Sequence, residues 1–221
     1  MKINLSTLIA ILASMLYLIV YFIPDMGGSD VMGAQWLYAS SLSLVLVGYI
    51  GIRYKEYAEA ISQVFAYKFT LVFSLLLFWA IGSYFYAINP TETLVTLARL
   101  ITTYFVFINL SILFYQQDRA VLFTGIAYGI TLLLFFDAIY ILKTFSANLR
   151  TMNLDAAILG INKYHGNKNV TAASLLIMIP FSMYVIMSAK WLGRIAGIIA
   201  LFLGVFSLFL LNTRSTYVGF A

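Results

Sequence analysis

An all-α, polytopic transmembrane bundle is the fold this sequence predicts, on three observations. The 221-residue chain is 63% hydrophobic and only 10% charged. A soluble domain of that size cannot bury so much apolar surface, whereas a bilayer supplies the missing solvent. The apolar residues fall into seven runs, at 5–23, 36–52, 69–88, 94–115, 120–142, 170–189 and 195–211. Each approaches or exceeds the ~17–20 residues that a helix rising ~1.5 Å per residue needs to cross the hydrocarbon. The runs are apolar on every side rather than alternating, which excludes a transmembrane barrel, and lipid offers no partner to an open sheet edge.

The first run follows Lys2, as the core of a signal peptide would. It is longer than a typical signal core, and Tyr21-Phe22-Ile23-Pro24 is a poor cleavage context, so it is read as an uncleaved first span. Trp36 and Tyr49 near the ends of the second run, with Trp79 and Trp191 further on, fit an interfacial aromatic belt. After the second run, Tyr54, Tyr57, Ala58, Ile61, Val64 and Phe65 recur at helical spacing, with Lys55, Glu56, Glu59 and Gln63 opposite. That pattern predicts a short amphipathic helix lying on the inner leaflet. The third and fourth runs are joined by the short loop 89–93, and the longest connection is 143–169. Residues 216–221 read as the first turns of an eighth span, so the sequence is expected to be the N-terminal portion of a longer chain. Short connections and the lack of an internal repeat predict one helical domain over 1–221.

Loop charges set the orientation. With the N-terminus inside, the inner segments hold Lys2, Arg53, Lys55, Lys68, Arg119, Lys190 and Arg194. The short outer loops 24–35 and 89–93 hold Asp25, Asp30 and Glu92 but no lysine or arginine. This asymmetry satisfies the positive-inside rule. The exception is the outer loop 143–169, where Lys143, Arg150, Lys163 and Lys168 stand against Asp155. Cations on the disfavoured side raise the question of what they bind.

The formal net charge of +5 is scattered through loops, which argues against nucleic acid as a partner. The absence of cysteine rules out disulfides and thiolate metal sites, and one histidine with dispersed acids makes no familiar metal-ligand set. No P-loop, dinucleotide fingerprint or G-x-S-x-G element is present, which argues against nucleotide hydrolysis and serine esterase chemistry. No cofactor is expected.

The residues with chemical potential gather at span ends. His165-Gly166-Asn167-Lys168-Asn169 opens the sixth run, and Asn212-Thr213-Arg214-Ser215-Thr216 closes the seventh. The asparagines serve as helix caps on the plain reading. On the functional reading, the outer end of the sixth helix offers unpaired N–H groups and the positive end of its dipole beside Lys168 and Asn169, which suits a phosphate. Arg214 either snorkels to the headgroups or uses its planar fork for bidentate phosphate binding, with the hydroxyl of Ser215 adjacent. Arg99 and Asp137 lie inside the fourth and fifth runs at matching depth, ~7–8 Å below the outer boundary at ~1.5 Å per residue. They form a structural pair, or Arg99 serves the substrate. His165 is the sole histidine; it is a solvated loop residue or a general base, with no orienting carboxylate apparent beside it.

At these positions the chain resembles the O-antigen ligase and polymerase family, membrane enzymes with a Wzy-type core domain. The resemblance lies in the Gly-x-x-Asn opening of a span (Gly166, Lys168, Asn169), a run of small and apolar residues to Pro180, and a following span that ends in Thr213-Arg214-Ser215. It covers roughly residues 166–221, and the helices before it agree in general layout. The resemblance implies a metal-independent glycosyltransferase in the bacterial inner membrane, its site facing the periplasm. Its donor would be an undecaprenyl-diphosphate-linked glycan and its acceptor a lipid, glycan or protein, in cell-surface polysaccharide biosynthesis. Arg214 maps onto the family arginine, which would neutralise the departing diphosphate. The family's important histidine lies in a later outer loop, so His165 does not inherit its role. Two other classes compete. A lipid or polysaccharide transporter would show inverted repeats around a midplane site. A non-catalytic membrane subunit would use a small-residue stripe such as Gly193, Gly197 and Gly204 against a partner.

Overall fold

The computed structural model describes residues 4–23, 32–115, 117–161 and 168–211. Among them all regular structure is helical: α1 (Leu5–Ile19), α2 (Gly33–Ile52), α3 (Tyr54–Ala66), α4 (Lys68–Ser83), α5 (Pro90–Tyr115), α6 (Arg119–Asn148), α7 (Leu154–Leu159), α8 (Lys168–Ser188) and α9 (Trp191–Leu211). Six helical stretches are long and apolar enough to cross a membrane: Gly33–Ile52, Lys68–Tyr86, Pro90–Tyr115, Arg119–Asn148, Asn169–Ser188 and Trp191–Leu211. The chain is a multi-pass α-helical membrane protein. Backbone contacts group it into two compact units, Met1–Leu122 and Phe123–Ala221.

The first of the seven predicted spans is shorter than expected. Asn4 caps α1 by accepting the Thr7 N–H at 2.7 Å, but the α-helix stops at Ile19 and continues as one 3-10 turn, Val20–Phe22. Pro24 explains the stop, because the residue before a proline is pushed out of helical geometry, and Ile23 is extended with ψ 119°. The faces of α1 are unlike. Thr7, Ala10, Ala13, Ser14 and Tyr17 are buried at helical spacing, while Leu5, Leu8, Leu12 and Leu16 are exposed and suit lipid.

In the first unit α5 is the central element, packed on by α1, α2, α3 and α4. It begins four residues before the predicted span because Asn89, Pro90 and Glu92 make a strong helix start. Pro90 sits where no N–H is needed, the Asn89 side chain accepts the Glu92 N–H at 3.3 Å, and its amide donates to the Glu92 carboxylate at 3.3 Å. By contrast α4 buries only Thr70 and leaves Leu71, Val72, Leu75, Leu76, Phe78 and Trp79 exposed, a lipid-facing surface. The amphipathic helix predicted after the second span is present as α3. Tyr57, Ala60 and Val64 are buried, the helix packing on α5 and α4, while Tyr54 and Phe65 of the predicted apolar face are exposed.

At the α2–α3 joint, Arg53 donates to the Tyr49 hydroxyl at 3.0 Å, lies 5.9 Å over the Tyr49 ring and pairs with Glu56 at 3.0 Å. The hydrogen bond to Tyr49 and the Glu56 charge hold its guanidinium further in the charged form. Burial and a hydrogen bond with Tyr49 push the Tyr57 phenol up to about 12.

The connection predicted over 143–169 is partly helical. α6 runs on to Asn148, six residues beyond its predicted end, since a helix can emerge from the apolar layer with Lys143, Thr144 and Ser146 in its last turns. α7 follows, capped by Asn153, whose side chain accepts the Ala156 N–H at 2.9 Å.

Candidate functional site

The sixth and seventh predicted spans form a hairpin, α8 and α9, joined only by Ala189 and Lys190. A two-residue link between helices of 21 residues makes them antiparallel neighbours. Their close approach rests on Gly197, where a Cβ would meet Ile186 Cγ1 at 2.8 Å and the Ser182 carbonyl oxygen at 3.3 Å. At the same level the buried Ser182 hydroxyl donates to the Gly197 carbonyl at 2.9 Å. Pro180, two residues before Ser182, has no N–H to give the Leu176 carbonyl, a local weakening that such cross-helix bonding offsets.

This contact sets the register. Lys168 stands fourteen residues before Ser182, and Leu211 fourteen residues after Gly197. The start of α8 and the described end of α9 therefore lie at the same end of the hairpin, level to within about a turn.

α6 completes the second unit. Its beginning meets the end of α8: the Phe123 ring lies 4.8 Å from that of Tyr184, and the Thr124 and Tyr184 hydroxyls are 3.1 Å apart. Along α9, a Cβ on Gly193 would meet the Tyr128 hydroxyl at 2.6 Å, one on Gly204 would meet Leu134 at 2.8 Å, and Ser207 donates to the Ala138 carbonyl at 3.5 Å. α6 thus runs antiparallel to α8 and parallel to α9. Asp137 follows Thr124 by thirteen residues and Thr171 precedes Tyr184 by thirteen, so the two share a layer near the opening of α8. Both are buried, Asp137 completely, and Ser207 is buried in the same layer. The glycines of α9 are occupied by Ile186, Tyr128 and Leu134 of this unit, which uses up the stripe that a partner helix would need.

Of the residues singled out in the sequence, Lys168 opens α8 and Asn169 is exposed in its first turn. Arg99 is half-buried in α5, its guanidinium carbon 5.8 Å from the centre of the Trp36 ring, a cation–π arrangement within the first unit. Asp137 belongs to the second unit. His165, Gly166, Asn167, Thr213, Arg214 and Ser215 lie outside the described residues.

Sequence reading missed the polar layer of the first unit. The Asn109 amide donates to the Ser43 carbonyl at 3.0 Å and to the Tyr17 hydroxyl at 3.4 Å, and the Tyr17 and Ser43 hydroxyls are 3.0 Å apart. The available signal was one asparagine in the apolar stretch 104–110 of that run. Comparison with protein-family models, with curated proteins and with solved structures finds no match.

Proposed function

We propose that this chain is part of an O-antigen ligase or polymerase of the Wzy type. It would transfer a glycan from undecaprenyl diphosphate to an acceptor hydroxyl at the outer face of the bacterial inner membrane. The observation that carries the reading is the α8–α9 register. Lys168 and Asn169 open α8 at the hairpin end where α9 reaches Leu211, and Thr213-Arg214-Ser215 follow Leu211 in the chain. The opening of α8 and the described end of α9 thereby lie at one end of one hairpin, and in the sequence Thr213 comes two residues after that end. The opening of α8 adds the positive end of its dipole.

In this mechanism the acceptor oxygen attacks the anomeric carbon, the bond from that carbon to the diphosphate oxygen breaks, and the acceptor proton passes to solvent or to the departing phosphate. Charge grows on the leaving diphosphate. Arg214, Lys168 and the α8 N–H groups stabilise that charge where it develops, which lowers the barrier more than it tightens ground-state binding. Ser215 and Asn169 supply neutral hydrogen bonds. No cofactor or metal enters the scheme. The orientation assumed is N-in, from the loop charges.

The test is glycan transfer in cells. Arg214→Ala should abolish transfer while the amount of protein in the membrane stays the same. Arg214→Lys should also fail, because a point charge does not replace a planar fork. Wild-type transfer by the alanine variant would remove Arg214 from the chemistry and this reading with it.

A further inference from the structure

We propose that the crevice between the end of α4 and the start of α5 binds a primary ammonium group. The cavity, about 300 Å³, is walled by Ser83 on one side and by Asn89, Glu92, Thr93 and Thr96 on the other, with Leu97 among its apolar lining. That volume is at the lower end of small-molecule pockets, enough for a headgroup or a single sugar ring.

The hydrogen bonds around the crevice decide what it accepts. The Ser83 hydroxyl donates to the Ala80 carbonyl at 2.7 Å, and the Thr93 hydroxyl donates to the Asn89 carbonyl at 2.9 Å. Each spends its proton on the backbone and keeps lone pairs for a ligand. The Asn89 amide meets one oxygen of the Glu92 carboxylate at 3.3 Å, which leaves the other oxygen to accept. Among the described residues no lysine or arginine lines the cavity. An acceptor-rich wall carrying one negative charge repels phosphate and carboxylate. It fits a group with three donors, no acceptor and a positive charge.

Helix capping accounts for Asn89 and Glu92 at the start of α5. It does not account for Ser83 on the other helix, or for the space held open between the two. In the chain segment that supplies Ser83, Trp79, Phe85 and Tyr86 are 78%, 85% and 69% exposed. Aromatic residues of this kind mark the depth of lipid headgroups, and their ring faces attract cations. This site goes beyond glycan transfer and does not depend on it. The ammonium has two possible sources, the headgroup of phosphatidylethanolamine or an amino sugar.

Both sources are tested on the full chain in nanodiscs. The first arm mixes phosphatidylethanolamine with phosphatidylcholine, whose headgroup nitrogen carries no N–H, and counts retained lipid by native mass spectrometry. The second arm titrates glucosamine against N-acetylglucosamine in pure phosphatidylcholine discs and follows thermal unfolding. Retention of phosphatidylethanolamine over phosphatidylcholine by about tenfold, the size expected for hydrogen bonds to a charged group, assigns the lipid. Stabilisation by glucosamine alone assigns the sugar. Glu92→Gln should remove the preference, and Ser83→Ala, which leaves the α5 cap intact, should reduce it by about fivefold. If Glu92→Gln does not fold, Ser83→Ala decides. No amine preference in either arm, or a preference that survives the variants, overturns the proposal.

Discussion

Replacing Gly197 by alanine is expected to destabilise the second unit, whereas the same replacement at Gly48 is not. A Cβ at position 197 would lie 2.8 Å from Ile186 Cγ1, 3.3 Å from the Ser182 carbonyl oxygen and 3.4 Å from the Ile186 nitrogen. Isoleucine is stiff at its first side-chain torsion, and the other two atoms are backbone, so none can swing aside. The helices must part, and the 2.9 Å bond from Ser182 to the Gly197 carbonyl stretches with them. Overpacking of this kind costs about 1–3 kcal/mol, and a hydrogen bond between membrane helices is worth about 0.6 kcal/mol. At Gly48 a Cβ meets nothing within 4 Å. Both changes are glycine to alanine inside a helix, so the propensity gain of about 0.8–1 kcal/mol cancels when the variants are compared. The two should differ by about 2–3 kcal/mol, with Gly197→Ala the less stable. Gly204→Ala should fall between them, because it meets only Leu134 side-chain atoms, which can rotate. Equilibrium unfolding in mixed micelles, titrated with denaturing detergent, measures all three. If Gly197→Ala is as stable as Gly48→Ala, the hairpin does not pack as described, and the register that aligns Lys168 with Leu211 fails with it.

Two further outcomes are expected. Asn109→Leu keeps the side-chain volume but loses the bonds to Ser43 and Tyr17, and should cost about 1 kcal/mol. Asn109→Asp places a charge in the same layer and should cost more, about 2.5–3.5 kcal/mol if the layer is dry, so equal stability of the two variants at pH 7 would show that water reaches it. Because the chain contains no cysteine, Ser146→Cys and Lys190→Cys report topology cleanly. Both sites are exposed, near the end of α6 and in the α8–α9 link, at opposite ends of the second unit. An impermeant thiol reagent should label Ser146→Cys from outside and spare Lys190→Cys, and the reverse pattern would invert the orientation.

Helix positions were legible in this sequence because the solvent enforces them. In hydrocarbon every backbone group must be satisfied within its own segment, so a long apolar run has one solution. The misses fall where that constraint relaxes. The helical backbone of the first run stops at Phe22 because Pro24 acts through Ile23, a local steric effect that hydropathy does not register. α5 begins at Pro90 because of that proline and the Asn89 and Glu92 side chains, and α6 continues past Leu142 because a helix above the apolar layer no longer needs apolar residues.

Which face a helix turns inward is less legible, and the reason bears on the candidate site. In water the polar face of a helix points out, so a sequence shows its own orientation. In lipid the tails are as apolar as leucine, and packing selects small and hydroxylated residues instead. That rule accounts for the buried Ala10, Ala13 and Ser14 of α1, and for Gly197, Ala200, Gly204 and Ser207 of α9. It also separates the two kinds of polar residue in this chain. Asn109, Ser182 and Ser207 are buried and bonded to the backbone of a neighbouring helix, so structure accounts for them. Asn169, at the opening of α8, is exposed. Burial thus marks the polar residues that packing selects, and Asn169 stands outside that set, where α8 begins, at the hairpin end that α9 reaches at Leu211.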